Sequence, residues 1–370
     1  MANKERFVAL DIFRGLTIFL MIIVNTPGNW ATTYPPLLHA EWHGFTITDL
    51  VFPSFLFAVG NALAFVQRKW DKQNSSEVFS KIFKRTILLF LLGYTMYWFP
   101  FFRWTDSGSL EFFPITETRV MGVLQRIALC YMVAAILIYK FKPVRILGLS
   151  VFLLLFYWLI MHLGGDYSMT GNIGHKLDVI IFGNNHLYQG EGVPFDPEGL
   201  LGTVSSTVNV LAGYLLGVFL IRKKANFESL SKIMVMGALC LLIAYFWDHM
   251  FPINKKLWTS SYVLWTIGLD CLLIGVIIFF SELTVKKTSF NFFKTFGVNP
   301  LATYLFSEYV AILMWFVKVD SDTPLYSWIY SNVFVHFGAY FGSFLFAILF
   351  TLMCWAVARY LEIRKIYIKV

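Results

Sequence analysis

Apolar runs of 17 to 25 residues recur from one end of the chain to the other. No other feature restricts the fold so strongly. A helix of that length matches the roughly 30 Å hydrocarbon core of a bilayer. A membrane β-barrel would instead show short segments of alternating polarity, and these runs do not alternate. Composition agrees: 58% of the residues are hydrophobic and 14% are charged, against about 25% charged in soluble domains. The fold class is therefore all-α, a polytopic integral membrane protein, and a soluble enzyme is excluded. The runs predict ten helices, at 8–25, 44–66, 85–102, 120–140, 144–163, 199–221, 232–248, 259–281, 297–316 and 338–359. The first is not a signal peptide, because it holds Asp11 and Arg14 and no small-residue cleavage site follows it. With no low-complexity tract, soluble insertion or evident repeat, residues 1–370 read as a single domain.

Charge placement gives an orientation. Ten spans put both termini on one side. If that side is the cytoplasm, 22 of the 30 Lys and Arg residues fall inside and six outside (Arg103, Arg119, Lys176, Lys255, Lys256 and Lys318), with Arg14 and Arg126 within spans. This is the positive-inside pattern, so both termini are expected to be cytoplasmic. It explains the net charge of +8 through topology and attraction to anionic lipid, with no need of nucleic acid. The stretch "LLHAEWHGFTITDLVFPSF" (37–55) and the segment 164–198 then lie outside. Cys130, Cys240, Cys271 and Cys354 sit in apolar runs without CxxC spacing and read as small buried hydrophobes. No metal site is expected.

Ionisable residues inside spans are costly, and each is a candidate for function. Asp11 and Arg14 are three apart on one helix face, where they can neutralise each other or clamp a neighbouring helix. Arg126 can pair with Asp49 across helices or hold an anionic substrate group. Asp270 and Glu308 suit a proton path, a polar cavity or an interhelical hydrogen bond. Outside, "PFDPEGLLG" (194–202) reads as a helix start, with Asp196 as cap, Pro197 in the first position and Glu198 near the positive end. Asn254, Lys255 and Lys256 read as a solvated loop, with Trp247 and Trp258 as interfacial anchors. The sequence has no GxSxG, HExxH, Walker or dinucleotide-binding pattern. By spacing alone His39 and Asp49 are as compatible with a surface loop as with catalysis.

A set of blocks adds to this reading: "RFVALDIFRGLTIFLMIIVN", "HAEWHGFTITDLVFPSFLFAVG", "GVLQRIALCYMVAA", "FDPEGLLGTVSS", "NKKLWTSSYV" and "FGVNPLATY". Together, in this order, they resemble the heparan-α-glucosaminide N-acetyltransferase family of multi-pass acyltransferases, over nearly the whole chain. The resemblance implies transfer of an acetyl group from cytoplasmic acetyl-CoA, a co-substrate, to an amino sugar or glycan across the membrane. It implies that His39 is the catalytic base or acetyl carrier, and that Asn25 and Asp49 share its site. It makes Arg126, Asp196, Glu198, Asn254 and Trp258 candidate acceptor contacts, and Arg14, Asp11 and Asn299 candidate acetyl-CoA contacts at the inner face. Lys81, Lys84, Arg85, Arg222, Lys223 and Lys224 are either phosphate contacts or simple positive-inside markers. Glu41 and His43 stand where the family pattern has serine and asparagine. The resemblance further implies a short bacterial-type member of the inner membrane, without the family's large luminal domain and extra first span. Its acceptor would be a small amino sugar or cell-envelope glycan, and its partners the bilayer and a second copy in a homodimer. The competing expectation is an amino-sugar transporter, with Asp270 and Glu308 as coupling groups and Pro53 and Pro300 breaking helices.

Overall fold

Hydrophobic runs become helices here because backbone polar groups in hydrocarbon must be satisfied within their own segment. The computed structural model describes residues 7–70, 72–105, 107–284 and 290–368. Lys4, Arg6, Lys286, Lys287 and Lys369, all counted in the charge argument, lie outside them. The helices are α1 (Val8–Asn25), α2 (Ile47–Trp70), α3 (Ser75–Trp98), α4 (Val123–Lys140), α5 (Pro143–Gly164), α6 (Ile173–Phe182), α7 (Thr203–Lys223), α8 (Phe227–Asp248), α9 (Ser260–Ile278), α10 (Asn291–Val298), α11 (Pro300–Phe316), α12 (Leu325–Ile329) and α13 (Ala339–Ile363). A two-stranded antiparallel hairpin, β1 (Phe102–Trp104) and β2 (Leu110–Phe112), joins α3 to α4.

Each of the ten predicted runs holds a helix, although the run 85–102 becomes α3 from Ser75 to Trp98 and its last residue, Phe102, opens β1. Among the described residues, eight of these helices are long and apolar enough to cross a membrane. The other two are α3, whose first half carries Glu77, Lys81, Lys84 and Arg85, and α11, with 17 residues. The predicted run 297–316 is split, because Asn299 leaves helical geometry and Pro300 opens α11 as its first residue. The predicted start of α7 at 199 moves to Thr203. Asp196 closes a turn there, accepting from the Glu198 N–H at 2.9 Å, and does not cap the helix. The short α6 and α12 were not legible as spans.

Helices α1, α2, α4, α7 and α9 make the centre of one continuous hydrophobic cluster. Helix α2 lies against α7 where Gly213 meets the Phe57 carbonyl, and a Cβ there would come within 1.9 Å of that oxygen. Helices α5 and α8 form the periphery: only 28% and 22% of their apolar windows are buried, against 67% for α2. Outward residues such as Val144, Leu163 and Phe246 suit lipid contact.

Candidate active site

Four connecting segments gather at one end of the bundle: residues 26–46, 99–122, 183–202 and 249–259. They close over a cavity of about 350 Å³, within the size range of small-molecule sites. Its apolar wall includes Met21, Val51, Phe52, Met96 and Val123, and its polar wall Asn25, His39, Arg119, Glu191, Glu198, Lys255, Lys256 and Glu308.

The His39 ring is fixed from behind. Thr46 stands just before α2, and Asp49 reaches back from the first turn to accept its N–H at 2.9 Å and its hydroxyl at 3.1 Å. This is the back-bonding half of a capping box. The same oxygen accepts the Ala40 N–H at 3.2 Å. The other oxygen takes His39 Nδ1 at 2.6 Å. Asp49 is 1% exposed, and an ionised carboxylate only accepts, so Nδ1 carries the proton and Nε2 holds the lone pair. Tyr262 donates to the Asp49 backbone carbonyl at 2.6 Å and braces the turn.

His39 keeps 41% of its side-chain surface open, and the ring lines the cavity. Crowding in that wall, joined by the Lys255 charge, pushes the imidazole below its ordinary value, while Asp49 partly offsets the shift. Lys255 Nζ stands 2.9 Å from Nε2. Burial likewise lowers the Lys255 ammonium, with Lys256 adding to the shift and Glu198, Asp49 and Glu191 opposing it. The result is a neutral imidazole near pH 7 whose free nitrogen is on the cavity side.

The remaining polar wall is ordered by ion pairs. Arg119 donates through Nε and Nη2 to both oxygens of Asp196, at 2.9 and 2.6 Å, and through Nη2 to Glu198 at 2.6 Å. Its guanidinium lies between the rings of Tyr97 and Tyr188, 5.0 and 4.8 Å from their centroids. Burial works against the Glu198 carboxylate, but Arg119, Lys255 and Arg126 outweigh it and hold it below the usual range. Lys256 pairs with Glu191 at 2.5 Å. Asn25, at the last position of α1, donates to Glu308 of α11 at 3.2 Å.

The structure thus brings Asn25, His39 and Glu198 onto one cavity, with Asp49 directly behind His39. Asp196 sits one contact back, behind Arg119. Arg126, Asn254 and Trp258 do not line the cavity. Arg126 is buried, donating to the Gly199 carbonyl at 2.6 Å and lying 5.2 Å from the Trp258 ring centre. The expected Asp49–Arg126 alternative gives way to Asp49–His39. Trp258 donates to Asn209 at 3.1 Å and packs edge-on against Phe52, so it is a buried support and not an interfacial anchor. Asn254 accepts the Leu257 N–H at 2.8 Å and contacts His43 at 3.3 Å.

Arg14, Asp11 and Asn299 also lie away from the cavity. Arg14 is eleven residues before Asn25, about 16 Å along the helix. It pairs with Asp11 at 3.1 Å and donates to the Gly297 carbonyl, joining α1 to α10. Asn299 bonds the carbonyl of Ile366 at 2.8 Å and the N–H of Ile368 at 3.0 Å. Asp270 accepts from Ser54, a helix-to-helix bond between α9 and α2. The sequence reading left Arg119, Glu308 and Lys255 without a place in the site. Only position outside the spans, or a buried charge, signalled them.

Fold and site together define a polytopic α-helical membrane protein with a titratable cavity enclosed by the loops at one end of its bundle. A family model described as "Heparan-alpha-glucosaminide N-acetyltransferase, catalytic" matches residues 6–185, the portion that holds Asn25, His39 and Asp49. Heparan-alpha-glucosaminide N-acetyltransferase of Mus musculus is 28% identical over 370 residues, covering 83% of this chain and 54% of that protein. The Homo sapiens protein of the same name is 28% identical over 319 residues, covering 71% and 47%. The chain is thus similar to this family of N-acetyltransferases, through a family model over its first half and two relatives over most of its length. It spans about half the length of the curated relatives it matches.

Proposed function

We propose that the protein transfers an acetyl group from acetyl-CoA to the amino group of an amino sugar or glycan, at the membrane face where the four loops meet. The observation that carries this reading is the His39 ring, held at Nδ1 by Asp49 at 2.6 Å and lining the cavity that also holds Asn25 and Glu198. An amine attacks a thioester only when neutral. Nε2 is placed to take the proton that the amine loses, a contribution of about 10²–10⁴-fold. Asp49 then stabilises the imidazolium, the role of the third group in a catalytic triad. Asn25 Nδ2 can donate to the oxyanion that develops on the acetyl carbonyl, worth about 3 kcal/mol. As the tetrahedral species collapses, the C–S bond breaks and CoA leaves as the thiol, taking the proton from His39.

The charge distribution supports a sided reaction, with acetyl-CoA supplied from the cytoplasmic face and the acceptor from the outer face, and suits a bacterial inner membrane. The test uses purified protein in liposomes, given labelled acetyl-CoA and a panel of amino sugars. Acetylated sugar is expected, and it should disappear in His39→Ala. Sugar uptake without acetyl-CoA, unaffected by that substitution, would identify a transporter and overturn the reading.

A further inference from the structure

The chemistry proposed above gives Lys255 no covalent part, yet its amine is the group nearest the reactive nitrogen. Lys255 Nζ lies 2.9 Å from His39 Nε2 and 3.2 Å from Nδ1. The Nδ1 proton is committed to Asp49, and Nζ, close to both ring nitrogens, lies against the face of the imidazole. A primary amine therefore already lies in contact with the imidazole, in the cavity where an acceptor amine must come to give up its proton. Groups around it set its charge from several sides: Asp49 from the start of α2, Glu198 and Glu191 from the 183–202 segment, and Lys256 from its own loop. Burial and Lys256 favour the neutral amine, the nucleophilic form, and the carboxylates oppose them. Lys256 lines the same cavity, but its Nζ is tied to Glu191 at 2.5 Å, so the two lysines differ in reach to His39 and not in access to solvent alone.

We propose that Lys255 is a built-in competitor for the acetyl group, becoming Nζ-acetylated when acetyl-CoA is bound and no acceptor fills the cavity. This rests on the acetyl-transfer reading above. The Lys255 nitrogen attacks the thioester carbonyl, an N–C bond forms and the C–S bond breaks. The proton lost by nitrogen passes to His39 Nε2 and on to the sulfur, which leaves as CoA thiol. The product is a neutral amide, larger by an acetyl group, lodged against the His39 ring. It can no longer yield its place to an acceptor as a mobile ammonium can, so transfer stops when acetyl-CoA outruns the acceptor. An acceptor that displaces Lys255 from Nε2 protects it.

The full-length protein in nanodiscs, incubated with deuterated acetyl-CoA and no acceptor, is followed by peptide mass spectrometry across all its lysines. Glucosamine acetylation is assayed in parallel. Labelling of Lys255 is expected to outpace that of Lys256 by at least about tenfold, within the range of general-base assistance. It should fall when glucosamine is present, and activity should decline in step with Lys255 occupancy. His39→Gln should remove the preference, and the glucosamine competition tests the same point on the unaltered protein. Glucosamine turnover with Lys255 unmodified overturns the inference and leaves the acetyl-transfer reading intact. Labelling of Lys255 no faster than Lys256 also overturns it, as incidental acetylation. Failure to acetylate either glucosamine or any lysine overturns the acetyl-transfer reading itself.

Discussion

Asparagine at position 49 keeps the shape of the side chain and removes its charge, so its effect can be worked out from the bonds around Asp49. The carboxylate accepts from His39 Nδ1 at 2.6 Å through one oxygen, and from the Thr46 N–H, the Thr46 hydroxyl and the Ala40 N–H at 2.9 to 3.2 Å through the other. An amide has one oxygen, so Asp49→Asn must choose. Facing NH₂ towards Thr46 and Ala40 leaves two backbone donors unpaired, at about 1–3 kcal/mol each. Turning the amide oxygen to them costs less, but presents NH₂ to Nδ1. The imidazole then adopts its other tautomer, with the proton on Nε2. The base is lost. The variant should fold, with a stability loss of about 1 kcal/mol for the weakened charge-assisted bonds. Its kcat/KM should fall by about 10²–10⁴, equivalent to roughly 3–5 kcal/mol of transition-state stabilisation. The assay is acetyl transfer to glucosamine in detergent, below the melting midpoint of both proteins, with thermal unfolding measured on the same preparations. A variant whose kcat/KM stays within about threefold of the parent would refute the role assigned to Asp49.

Four further outcomes follow from the same geometry. The pH–rate profile should rise as His39 loses its proton, with an acid limb centred below 6.5 because burial and Lys255 lower the imidazole; Lys255→Met removes a neighbouring cation and should move that limb to higher pH, and a shift the other way would contradict it. Asn25→Ala should lower kcat by about 10²–10³ with a smaller change in the acceptor KM, as expected for a donor used in the transition state and checked by steady-state kinetics. Arg119→Ala leaves Asp196 and Glu198 buried without their cation and should destabilise the protein by about 3–5 kcal/mol, read as a lowered thermal midpoint. Gly213→Ala places a methyl 1.9 Å from the Phe57 carbonyl; it should force α2 and α7 apart and reduce the yield of monodisperse protein on size exclusion.

The helices were legible because their cause is local. Eight of the runs are long enough and apolar enough to satisfy their own backbone in lipid, whatever surrounds them. Ends were less legible where a single side chain moves them, as Pro300 does for α11 and the Asp196 turn does for α7. The pairing of His39 with Asp49 is also nearly local, ten residues across one loop and helix start, and the shared motifs pointed to both residues. Arg126 and Trp258 were misleading in a consistent way. A buried arginine and an aromatic at a loop end have the chemistry of ligand contacts, yet one meets the Gly199 carbonyl and the other Asn209 and Phe52. Sequence type does not say which way a side chain faces.

Determined by the sequence alone, then, were the class of fold, the run of apolar helices and the charge bias between their connections, since all three depend on residues near one another in the chain. Tertiary structure decided the cavity. Lys255 reaches His39 across 216 positions and Asn25 reaches Glu308 across 283. Those contacts exist because the packing of α1, α2, α9 and α11 brings four loop segments and a half-buried glutamate to one end of the bundle. Charges brought so close lose solvent and shift one another's proton affinities. That coupling, which makes a loop histidine a candidate base, is a property of the assembled bundle.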